Sequence, residues 1–229
     1  MSFTSSNIKS YFHKQKLWSL ISYQPRWGLT FKGWLSLICS LVFVTMFFGF
    51  YVYSFLAPVA PIEAGALVVE GWINDDGIEG AIAQYQQQDY QIFITVGTPL
   101  GRGSYLSEYR DYARLAAATA IKLGFDESKI AIVPTPPIER DRTLASAIAV
   151  KQWLQENQPQ ITAINLYSKS VHSRRSWLLY QRACNPDLKV GIIAHTPLDY
   201  DAGSWWKSSE GVRETIGEAI AYVYAKFFS

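Results

Sequence analysis

The sequence predicts an α/β protein: a doubly wound, mainly parallel sheet of about five strands, preceded by one transmembrane helix. Three observations carry this. Short apolar runs alternate with helix-length amphipathic patterns from residue 66 onward, no side chain is charged from residue 33 to residue 62, and the cations flanking that stretch all lie before it. At 229 residues there is material for one good-sized domain and an appendage, not for two separate cores.

The first element is a basic tail, residues 1–32, with Lys9, Lys14, Lys16, Arg26 and Lys32 and no acidic residue. Tyr11, Phe12, Trp18, Tyr23 and Trp27 are interleaved with the cations, a composition suited to the surface of an anionic leaflet and equally compatible with a disordered tail. Next comes the span, residues 33–57. A helix of about 20 apolar residues crosses the hydrocarbon core, and Trp34, Tyr51 and Tyr53 fall where interfacial aromatic belts are expected. After residue 56 there is no Lys or Arg until Arg102, so the positive-inside rule puts the N-terminus in the cytoplasm and the rest of the chain outside it. The apolar run is too long for the core of a signal peptide, and Pro61 follows the nearest small-residue site, so an uncleaved anchor is expected. Five of the 21 Lys+Arg belong to the tail, which leaves 16 against 19 Asp+Glu in the remainder, and nucleic acid is not expected as a partner.

Pro58 and Pro61 make residues 58–65 a short stiff linker before an α/β domain at 66–229. Strand-like runs fall at 66–69, 92–96, 130–133, 161–166 and 190–193, continuous rather than alternating, as strands buried on both faces are. Helical patterns lie near 75–88, 107–123, 143–157, 171–184 and 208–227. Asn74, Ser107 and Ser170 are candidate N-caps and Gly124 a candidate C′ residue. In the third helix Leu144, Ala147, Ile148 and Leu154 share a face. Strict strand–helix alternation implies a doubly wound sheet, and such sheets bind ligands beyond the carboxyl ends of their strands.

The loops at that edge hold the candidate chemistry. Gly71 and Gly97 end the first two strands where close backbone approach is possible, and Trp72 stands beside the first of them. The second loop carries Arg102 and leads to Glu108, a candidate acid–base or positioning carboxylate. The third brings Arg140, Asp141, Arg142 and Thr143 into a helix start, with Asp141 or Thr143 as its cap. The fourth is the most informative: Ser168 ends a buried strand while His172 and Arg175 occupy the first turns of the next helix, the makings of an anion or phosphate site. A Ser168–His172 nucleophile is the sharper alternative, but no Gly-x-Ser-x-Gly elbow supports it. Trp205 and Trp206 either pack under the last helix, line an apolar pocket or touch the bilayer. Only His172 and His195 lie outside the tail, and no metal-ligand spacing occurs.

With Val68-Val-Glu-Gly71, Glu108, Thr143, Ser168-x-x-x-His172-x-x-Arg175, and Trp206 before a C-terminal helix with an inward Glu, Glu218 or Glu214, residues 66–227 resemble the YdcF/SanA/ElyC-like family. Members usually carry Gly pairs after the first two strands, where this chain has Glu70-Gly71-Trp72 and Gly97-Thr98. The resemblance implies a Rossmann-like domain, often behind one N-terminal anchor in a bacterial inner membrane, associated with envelope integrity and surface-polymer metabolism, and it supplies no established reaction or cofactor. The expected partners are therefore the lipid bilayer and an anionic, phosphate-bearing small molecule or lipid-linked ligand. Arg102, Arg140, Arg142, His172 and Arg175 are expected to supply charge to it, Ser168 and Thr143 hydrogen bonds, and Trp206 and the two glycines further contacts. The competing expectation is a non-catalytic anchored scaffold with a vestigial site.

Overall fold

A computed structural model describes residues 21–23, 27–101, 108–196 and 198–228. The predicted N-terminal tail is therefore described only from residue 21, and Arg102 and Ser107 lie outside the described residues. Two compact units divide the chain at Phe50 and Tyr51.

In the first unit, strand β1 (Ile21–Tyr23) pairs antiparallel with β2 (Trp27–Leu29), and helix α1 (Phe31–Leu56) follows. Thr30 caps α1 through its hydroxyl, which accepts from the Gly33 amide at 3.1 Å. At 26 residues α1 is long and apolar enough to cross a membrane. Up to residue 50 its side chains mostly face outward, Leu41 being 65% and Phe43 68% exposed, the reverse of what a core helix shows.

The second unit starts within α1, whose last turns it includes, and continues through β3 (Val59–Ala60), β4 (Ala66–Glu70), α2 (Asp75–Gln86), β5 (Ile92–Gly97), α3 (Tyr112–Lys122), β6 (Ile130–Pro134), α4 (Arg142–Asn157), β7 (Ala163–Lys169), α5 (Ser173–Cys184), β8 (Lys189–His195) and α6 (Ser209–Phe228). The predicted α/β class holds, with a six-stranded sheet ordered β3-β8-β7-β4-β5-β6 rather than about five strands. All neighbours are parallel except β3, which runs antiparallel to β8.

The additional strand corrects the expected linker. Val59 and Ala60 pair with Ile193 and Ile192, and buried Asn165 clamps the next turn by donating to the Ile62 carbonyl and accepting from the Ile62 amide at 2.8 and 2.9 Å. Proline is tolerated there because β3 is an edge strand.

All five residues of β4 are buried, with Ala66 and Val68 in a core shared with α4 and α5, and Leu67 and Val69 in a core shared with α2 and α3. The sheet is thus covered on both faces, which is why its strands read as continuous apolar runs. The helix patterns shift mainly at their starts. In place of the helix expected near 107, α3 begins after Asp111, whose carboxylate accepts from the Arg114 amide at 2.8 Å. Ser170 is no cap; it has φ of 46° in a short 3₁₀ turn, where its hydroxyl meets those of Tyr53 at 2.9 Å and Tyr200 at 3.2 Å. Gly124, with φ of 90°, ends α3 as predicted. In α4 the buried residues are Ser146, Ala147, Val150 and Leu154, while Ile148 is exposed, so the apolar face is narrower than its pattern implies. A third core gathers Val52 and Leu56 of α1 with Val171, Tyr200 and Trp205.

Candidate functional site

From β4 the chain crosses to β5 and β6 on one side, and from β7 to β8 on the other, so β4 and β7 are the neighbours at which strand order reverses. Their carboxyl ends place Glu70 and Ser168 side by side. Glu70 is 2% exposed and accepts hydrogen bonds from both Ser168 and Ser176, the latter at 2.9 Å. The carboxylate beside the first turns of α5, where the sequence led one to expect a bound anion, is the protein's own. Ser168 is fully buried with its hydroxyl engaged, so it holds Glu70 in place rather than presenting a free nucleophile.

His172 stands one turn away. Its Nδ1 lies 2.9 Å from Glu218 Oε1 and 2.9 Å from Arg175 Nη2, and a single ring nitrogen cannot satisfy both. Arg175 already donates to both Glu218 oxygens, from Nε at 2.9 Å and from Nη2 at 3.0 Å, so its needs are met without the imidazole. The consistent assignment is an Nδ1–H that donates to Glu218. Nε2 is then left with no hydrogen-bond partner although it is buried, at 3.9 Å from Glu70 Oε1 and with the Trp72 ring edge-on at 4.6 Å. Burial by itself would raise the Glu218 carboxyl, but hydrogen bonds and charge from His172 and Arg175 outweigh it and hold the group at about 2. The Arg175 guanidinium, which burial would lower, is correspondingly raised by Glu218.

These groups line a cleft of about 900 Å³. Among the expected residues, Gly97, Arg142, Thr143, His172 and Arg175 line it. Arg140, Glu108 and Trp206 are exposed and are not among the residues lining it, and Trp206 lies edge-on against buried Trp205 at 5.9 Å. Gly71 answers to packing: a Cβ there would stand 2.4 Å from the Tyr112 carbonyl oxygen, and one on Gly97 would stand 2.6 Å from the Tyr112 Cβ. Both glycines let the start of α3 approach the strand ends.

The expected cluster of free cations is not what lines the cleft. Five carboxylates and four Lys or Arg residues do. Arg175 is committed to Glu218, Lys169 to Glu214 at 2.8 Å and Asp199 at 3.5 Å, and Arg213 to Glu210. Among the described residues Arg142 is the lining cation without an ion pair. It opens α4, whose N-cap Asp141 makes no side-chain capping bond, so helix N–H groups and a guanidinium are offered together at the cleft wall. Leu179, Ile220 and Tyr224 give the lining an apolar part.

Sequence reasoning assigned no role to Glu70 or Ser176 and left Glu214 and Glu218 as alternatives within a resemblance. The available signal was their spacing. Glu214 and Glu218 are one turn apart on a helix otherwise rich in apolar residues, which puts both on one face. No family model matches the chain, and no curated protein does either.

Proposed function

We propose that this chain is a membrane-anchored protein whose α/β domain lies outside the cytoplasm and acts on a phosphate-bearing ligand as a hydrolase or transferase in cell-envelope or surface-polymer biogenesis. The observation that carries it is the unpartnered Nε2 of His172, whose Nδ1 is fixed by Glu218 and whose side chain is among those lining the cleft. A carboxylate that orients one imidazole nitrogen leaves the other as a positioned base. In the proposed step a water or acceptor hydroxyl attacks phosphorus, its proton passes to Nε2, and the same proton then goes to the departing oxygen as its bond to phosphorus breaks. Arg142 and the start of α4 bind the phosphate, and the apolar lining from Leu179, Ile220 and Tyr224 suits an apolar tail, as in a lipid-linked ligand. The ordered residues that resemble the YdcF/SanA/ElyC-like family, Ser168, His172 and Arg175 foremost, support the same reading, as the one-sided charge of the tail supports the orientation.

The test is phosphate release by the full chain in nanodiscs from sugar phosphates and polyprenyl phosphates, followed by ³¹P NMR. Turnover on at least one substrate is expected, with about a hundredfold loss in His172→Ala and roughly tenfold weaker binding in Arg142→Ala. Absence of both binding and turnover across the panel would leave the scaffold reading in possession. A reporter fused after Ser229 that is active only in the cytoplasm would overturn the orientation.

A further inference from the structure

Helix α6 is apolar on two faces. Val212, Ala219 and Tyr222 pack inward with Val52 and Leu56 at the end of α1, and Glu214 and Glu218 turn into the cleft. Ile216, Ile220, Val223, Tyr224 and Phe227 form another row at helical spacing, which borders the cleft at Ile220 and Tyr224 and is otherwise open: Ile220 is 67% and Phe227 68% exposed. After Arg213 the charged residues of α6 are Glu214, Glu218 and Lys226, and none belongs to this row. A solvent-facing helix surface is ordinarily polar, so an apolar row of this length calls for a cover.

The neighbouring face identifies the cover. Residues at the end of α1 pack on α6 within the same unit, where the Phe55 ring meets Tyr222 edge-on at 5.3 Å and Arg174 donates to the Phe55 carbonyl at 2.6 Å. Apolar surface thus continues from the last turn of a membrane-length helix around α6 to the open row. Tyr224 and Phe227 add aromatic rings of the kind that settle at the headgroup level, and Lys226 has a stem able to reach the phosphates from there.

We infer that the row Ile216, Ile220, Val223, Tyr224 and Phe227 is a lipid-contacting surface that lays the α/β domain on the bilayer. This rests on α1 crossing that bilayer and does not depend on the chemistry of the cleft.

The experiment uses the full chain, one per nanodisc of phosphatidylethanolamine and phosphatidylglycerol, labelled with a fluorophore at single cysteines. In a Cys39→Ser background the sites are Ile220→Cys, Phe227→Cys and, on exposed α4 as reference, Gln152→Cys; native Cys184 is fully buried. Doxyl lipids are expected to quench positions 220 and 227 severalfold more than 152, with aqueous iodide doing the reverse. Iodide reaching 220 and 227 as readily as 152 would overturn the inference, and so would protection from both quenchers, which would mean that protein, such as a second copy, covers the row. Native Cys39, labelled in the unaltered chain, separates the two levels. Lipid quenching at 39 without quenching at 220 and 227 removes only the α6 surface, whereas its absence at 39 removes the anchor as well.

Discussion

Glu218 joins the imidazole to the guanidinium, and its removal is expected to be felt twice. With its carboxyl held at about 2 against an ordinary 4.5, it contributes stability that is fully present above about pH 4.5 and is lost as pH falls toward 2. The size is roughly 3 kcal/mol if the whole shift is expressed. Glu218→Gln should lower stability at neutral pH by about 2 kcal/mol, since Arg175 keeps an acceptor but loses its counter-charge, and should flatten the acid limb in urea titrations run across pH 2–5. Equal acid limbs in the variant and the parent would show that the pair contributes nothing. Glu70 makes the complementary case. Glu70→Ala orphans the Ser168 and Ser176 hydroxyls, at a cost of about 2 kcal/mol, whereas Glu70→Gln, able to bond both, should fold with a melting temperature close to the parent's.

At the scale of elements, the approach of α3 to the strand ends depends on two missing side chains. Gly71→Ala and Gly97→Ala place a Cβ 2.4 Å from the Tyr112 carbonyl oxygen and 2.6 Å from the Tyr112 Cβ, so α3 must shift. Each is expected to cost about 2 kcal/mol by urea denaturation; an unchanged midpoint would mean that α3 is free to move. The strands were legible because burial on both sheet faces makes them apolar throughout, and their order along the chain then implied the winding. The start of α3 was not, since Ser107 and Asp111 are both good caps and only tertiary packing selects Asp111. Nor was β3, a two-residue edge strand whose pairing with β8 and pinning by Asn165 come from residues more than 100 positions away. In the site, His172 and Arg175 were legible from their place after a buried strand. Of their partners, Glu70 was not, because nothing local marks that carboxylate on β4 as turned inward, and Glu218 was named only as an alternative to Glu214 within the resemblance.

For the whole molecule, the α/β domain does not begin after the linker. Leu56 is 1% exposed, Val52 8%, and the Tyr53 hydroxyl bonds Ser170, so the last turns of the membrane-length helix are part of the domain's third core. A fragment of residues 62–229 should be less stable than one of 51–229 by about 3 kcal/mol, given the large buried side chains it lacks, and equal denaturant midpoints would contradict that packing. One ring nitrogen, Nε2 of His172, decides the proposed chemistry, and it can be observed directly. In full-length protein labelled with ¹⁵N-histidine, with His172→Ala to assign the signal, the neutral His172 ring is predicted to carry its proton on Nδ1 and to show an Nε2 resonance that moves when a polyprenyl phosphate is added. A ring protonated on Nε2 instead, with signals indifferent to the phosphate, would contradict it.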